Sequence, residues 1–184
     1  MPLHSVWCYD LISGSVVNKR RVDITIQTGF HPFLSQDWIR QAALSALAAA
    51  IPHQSCHLGV AVCDDNTIKQ LNRDYRGMDA VTDVLSFSTH YSGSWQGEHS
   101  HRSDEAFYQE PFVMPVENEE FIGEVVVSFP QMCRQAAESS TSQKKEMAFL
   151  VIHGTLHLLG YDHEKPEEKA AMESKEQEAM SKVI

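Results

Sequence analysis

Residues 22–28 (Val-Asp-Ile-Thr-Ile-Gln-Thr) alternate apolar and polar positions with β-branched side chains, the period of a strand that buries one face. The next apolar positions, Trp38, Ile39, Ala42, Ala43, Ala46 and Leu47, recur at helical spacing behind a Ser35 cap and stop at Pro52. Residues 57–63 read as a second strand. Asp64-Asp65-Asn66 then opens a helix with Ile68, Leu71 and Tyr75 along one face. Strands over 83–88 and 121–129 follow, and a short helix after Pro130 runs through Met132, Cys133 and Ala136. Ser140 and Gln143 have the spacing of a capping box for a long helix over 144–159. That helix is apolar almost all round, through Met147, Phe149, Leu150, Val151, Ile152, Leu156, Leu158 and Leu159, which places it at the centre of the fold. A last helix starts at Pro166 and runs to residue 182 as a surface cover, with Met172 and Met180 as its apolar contacts.

Four strands and five helices in an irregular order predict an α+β fold, a four-stranded mixed sheet packed with helices. The 184 residues are expected to form a single domain, with 1–21 an extension and 89–120 a long loop insertion.

Net charge changes this picture little until its distribution is examined. The chain carries −10, which argues against a phosphate-backbone partner. Seven acids against one base fall between Thr89 and Glu120, however, and the stretch from Glu164 onward adds six acids against four bases. What remains is nearly neutral and permits a local basic cleft. Cys8, Cys56, Cys63 and Cys133 show neither a C-x-x-C pair nor close ligand spacing, so reduced thiols in a cytoplasmic protein are expected. No apolar run is long enough to span a bilayer, and no membrane partner is expected.

The candidate chemistry lies at the end of the long helix, His153-Gly154-Thr155-Leu156-His157-Leu158-Leu159-Gly160-Tyr161-Asp162-His163. His153 and His157 are four apart, one turn above the other on a helix. Gly160 supplies the left-handed residue that ends the helix and turns the chain back, so that His163 faces the other two. Three imidazoles with an open fourth position describe one catalytic zinc ion better than a structural one. Imidazole also suits copper, nickel or iron. The spacing is that of the H-E-x-x-H-x-x-G-x-x-H zinc peptidases, with Gly154 in place of their general base. His90, His99 and His101 in the acidic loop lack ligand spacing and read as solvated.

The same stretch resembles the H-G-x-L-H-L-x-G-Y-D-H signature of the YbeY-type endoribonucleases, also described as rRNA maturation factors. Residues 72–79 (Asn-Arg-Asp-Tyr-Arg-Gly-Met-Asp), with Thr82-Asp83-Val84-Leu85-Ser86-Phe87, are similar to that family's N-x-x-Y-R-G-x-D and T-D-V-L-S-F segments. Residues 122–125 resemble its G-D-I strand, with Glu124 in place of the aspartate. The resemblance implies a zinc-dependent, single-strand-specific endoribonuclease acting on rRNA in maturation and ribosome quality control, with the ribosome or a subunit as partner. His153, His157 and His163 would be the metal ligands, and Arg76, with His153, would be catalytic. A zinc hydrolase of peptides or small amides, and a non-catalytic ribosome assembly factor, are the competing readings.

Overall fold

The computed structural model describes residues 19–89 and 120–184. The first eighteen residues and 90–119, with Cys8, His90, His99 and His101, lie outside the described residues. Four strands, β1 (Arg20–Ile26), β2 (Cys56–Cys63), β3 (Val84–Ser88) and β4 (Glu120–Ser128), form one sheet in the order β1-β2-β4-β3. β1, β2 and β4 are parallel, and β3 runs antiparallel at the edge. The helices are α1 (Gln36–Ala50), α2 (Asp65–Arg76), α3 (Phe129–Glu138), α4 (Gln143–Leu158) and α5 (Pro166–Met180). The mixed sheet and the five helices are those that the sequence pattern predicts.

Alternation along the strands decides what covers each side of the sheet. Val22 and Ile26, Leu58, Val60 and Val62, and Val125 and Val127 join one core with α1, α4 and α5. Cys63, Leu85 and Val126 point the other way and meet Ile68 of α2. Within the main core, Ala42, Ala43 and Ala46 of α1 are fully buried, and their small side chains let α1 lie close along α4. Ser45 ties α1 to α5 by donating from Oγ to the Ala179 carbonyl at 2.6 Å. α4 is thereby enclosed by the sheet, α1 and α5, which makes it a rigid mount for whatever it carries.

Three local expectations need correction. β1 begins at Arg20, inside the expected extension, because the backbone of residues 20 and 21 pairs with Cys56 and His57 even though both side chains are charged. The expected capping box does not form. Ser140 sits at φ 53 within the C-terminal cap of α3, where the amides of Ser140 and Thr141 donate to the carbonyls of Ala137 and Ala136. Ser142 caps α4 instead, accepting from the Lys145 amide at 3.2 Å. Finally, α4 is not buried on every apolar side, since Phe149 is exposed while Met147, Ala148, Leu150 and Val151 are buried.

Candidate metal centre

α4 rides on the edge strand through polar contacts. Ser86 and Ser88 of β3 donate from Oγ to the carbonyls of Gly154 and Leu158, at 2.9 and 3.2 Å. Between them the helix comes so close to the sheet that no side chain fits. A Cβ on Gly154 would stand 2.6 Å from Cγ1 of Val125, 3.1 Å from Oγ of Ser86 and 3.2 Å from Cγ2 of Val84. The two sequence blocks that carry the family resemblance therefore meet in space, the strand block as the seat and the histidine block as the rider. Gly154 points into this seat, whereas His153 and His157 stand on an adjacent face of the helix, half-buried.

The helix ends as the glycine predicts. Gly160 has φ 85, and the amides of Gly160 and Tyr161 donate to the carbonyls of His157 and Leu156 at 3.0 and 3.1 Å. This double bond pattern closes the helix and reverses the chain. Tyr161 packs against the core after the turn, and Asp162 Oδ1 accepts from the His163 amide at 2.7 Å, which sets the direction of the third imidazole.

The three rings converge. One ligand nitrogen from each of His153, His157 and His163 lies within 4.8 Å of the others, the one such cluster among the described residues. Nε2 of His153 and Nε2 of His157 are 3.1 Å apart. Two imidazoles at the usual ~2.05 Å from a tetrahedral ion stand about 3.3 Å apart, so the pair already has the separation of ligands on one cation. His163 is exposed and the other two are half-buried, which leaves one side of the cluster open to solvent. An all-imidazole donor set of this size can hold a divalent transition metal.

Electrostatics prepare the same state. Burial lowers the His157 pKa to about 4, helped by His153 and His163, so this ring is a neutral donor at physiological pH. Glu176 of α5 lies against His153, with Oε1 at 2.7 Å from Nδ1, and its side chain is only 14% exposed. A carboxylate can only accept, so the proton sits on Nδ1 and Nε2 presents its lone pair to the cluster. Replacing Glu176 by glutamine is expected to weaken metal binding roughly 10- to 100-fold while leaving the fold intact. Calorimetric titration of the chelator-stripped variant measures this directly.

Sequence reasoning treated α5 as a cover and missed Glu176. A signal was present: Met172, Glu176 and Met180 are four apart, which puts a carboxylate in the middle of an otherwise apolar stripe.

Arg76 is the last residue of α2, half-buried and held by interactions of its own. Tyr75 beside it stacks edge-on with Phe87 at 5.0 Å, so the end of α2 reaches the same edge strand that α4 sits on, from its other face. Lys69, Arg73 and Arg134 pair with Asp79, Asp74 and Asp65 and behave as solvated surface charges. The Cys63 thiol is pushed up to about 11 by burial and then by Asp64, so it stays protonated.

Glu124 faces away from the histidines, because its neighbour Val125 faces Gly154 while its own side chain lies against Gly59 on the far side of the sheet. Desolvation raises its pKa although the residue as a whole is exposed. A raised carboxyl contributes stability below its unfolded pKa and loses it as the pH climbs through the folded value. Glu124→Gln is therefore expected to melt above wild type at pH 7, the gap closing as the pH falls toward 4.5. Thermal melts across this range check the sign.

Known proteins bear on these observations as follows. The family model described as Endoribonuclease YbeY matches residues 23–184. A Chloroflexus aurantiacus protein named Endoribonuclease YbeY is 38% identical over 144 residues, covering 78% of this chain and 83% of its own. A Moorella thermoacetica protein of the same name is 37% identical over 167 residues, 91% of this chain and 95% of its own. The solution structure of TM1509 from Thermotoga maritima shares the fold, with a TM-score of 0.53 at 24% identity over 89% of this chain and 88% of that one.

Proposed function

The chain belongs to the YbeY endoribonuclease family, and from that premise we propose that it is a zinc-dependent endoribonuclease cutting single-stranded rRNA during its maturation and quality control. The observation that carries the reading is the convergence of three imidazole nitrogens within 4.8 Å, on a helix end with an open side. His153, His157 and His163 would hold the ion, and the absence of a fourth protein ligand among the described residues leaves a place for substrate. A divalent ion there supplies Lewis acidity toward a phosphoryl oxygen and lowers the pKa of water. Imidazole donors suit zinc among the divalent transition metals, and the choice of zinc rests on the family resemblance.

The remaining roles belong to the chain itself. Glu176 holds the His153 ring in the tautomer that donates from Nε2. The bend at Gly160 and the Asp162 acceptor hold His163 opposite the helix. Arg76 is proposed to stabilise charge that develops on the phosphoryl group, because its planar guanidinium pairs with two oxygens and stays charged at any physiological pH. What supports it is the resemblance of residues 72–79 to the family segment. A ribosomal subunit as partner rests on the family reading alone. Among the described residues no helix is long and apolar enough to cross a membrane.

A peptidase reading is disfavoured by one specific contact. The position where zinc peptidases carry their general base is Gly154, and it faces the sheet with no room for a side chain. Incubating the zinc-loaded protein with single-stranded rRNA, a duplex RNA and a peptide library separates the readings. The single strand alone should be cut; peptide cleavage, or metal-dependent folding without any turnover, would replace this proposal by one of its rivals.

A further inference from the structure

Phe149 is an apolar side chain that the fold does not use. Its neighbours on α4 are buried, yet it is 36% exposed and lies outside the main core. Its ring instead meets that of His153, with centroids 5.6 Å apart and planes inclined by 31°. It therefore forms a wall of the histidine cluster on the side toward the N-terminus of α4. One turn further the exposed Lys145 continues the same stripe, so that Lys145, Phe149, His153 and His157 succeed one another four residues apart.

An exposed aromatic side chain beside a histidine cluster, followed by a cation one turn along, has the chemistry of a single-stranded nucleic-acid track. Bases stack on aromatic rings without regard to sequence, and lysines take the phosphates between them. Duplex RNA cannot use such a platform while its bases remain stacked on each other. We propose that Phe149 is the positioning residue on which a base flanking the scissile phosphate stacks, with Lys145 receiving the phosphate one helical turn away. The proposal rests on the endoribonuclease reading and gives it a physical source of preference for unpaired RNA.

The test uses the full-length protein with its metal chelated, so that RNA stays intact, and oligonucleotides carrying 2-aminopurine at successive positions. Phe149→Leu keeps an apolar side chain and removes the aromatic face, and Phe149→Tyr restores it. Wild type and Phe149→Tyr should quench the fluorophore at one position, whereas Phe149→Leu should not, and its binding should weaken roughly 5- to 100-fold. An abasic site at that position should weaken wild type by a similar factor and leave Phe149→Leu no weaker than before. Metal uptake by the three proteins should be equal, which excludes an effect through His153. Equal binding and equal quenching by Phe149→Leu and wild type overturn the proposal even if wild type cuts RNA. If wild type neither binds nor cuts RNA, the endoribonuclease reading falls and the stacking platform falls with it.

Discussion

Replacing His157 by alanine is expected to abolish stable metal binding and to lower kcat/KM on single-stranded RNA by ~10³-fold or more. The ring is the middle member of the cluster, 3.1 Å from the ligand nitrogen of His153 and in edge contact with His163 at 5.2 Å between centroids. Its loss leaves two donors, one of them exposed, on a chelate that had three. The chemistry a divalent ion contributes is worth several kcal/mol, and about 4 kcal/mol corresponds to 10³ in rate. The fold should survive, because the side chain is half-buried and neutral, with a pKa near 4, so alanine strands no buried charge. Metal analysis, RNA cleavage and a thermal melt on the same preparation separate the loss of chemistry from a loss of structure. A variant that keeps both its ion and its activity would remove His157 from the centre.

Gly154 gives the second large effect, and its sign runs against helix propensity. In an ordinary helix interior, alanine in place of glycine adds ~1 kcal/mol of stability. Here the new methyl would stand 2.6 Å from Val125 Cγ1, with Ser86 and Val84 close behind, so the strand must shift or the helix must lift. Overpacking of this kind costs about 1–3 kcal/mol, and lifting α4 also strains the bond from Ser86 to the Gly154 carbonyl. Gly154→Ala should therefore unfold at lower denaturant than wild type. Gly154→Glu, which rebuilds the peptidase spacing, should lose the fold before it gains any peptidase activity, since it drives a carboxylate into a packed interface. An active, folded Gly154→Glu peptidase would show that the seat on the sheet is looser than these distances say.

Much of the sheet and helices was legible in local pattern: β1 by its alternation, α1 by apolar spacing behind Ser35, α2 by its Asp64 cap and α4 by its long apolar run. The histidine cluster was legible for a different reason, since a one-turn pair plus a glycine-ended bend leaves the third histidine few other places to go. What escaped was tertiary. Nothing local says that Ser140 serves the preceding helix and Ser142 the following one, because both are serines within a turn of the same boundary. Phe149 read as core because an apolar residue on a buried helix usually is, and only packing shows that its side faces the histidines. Glu176 sits 23 residues from its partner, and its role appears only when α5 folds back on α4. The reason for glycine at 154 was likewise invisible: sequence alone shows a missing base, whereas the structure shows a contact with Val125, Ser86 and Val84 that requires its absence.

The most direct test of the histidine centre is a titration of the chelator-stripped protein with Zn²⁺, following heat of binding and cleavage of single-stranded rRNA in the same samples. One ion should bind per chain, and RNA cleavage should rise in step with occupancy and level off at a single equivalent. Cleavage by the stripped protein at the full rate, or saturation with zinc that leaves RNA uncut, would contradict the assignment of His153, His157 and His163 as the catalytic metal site.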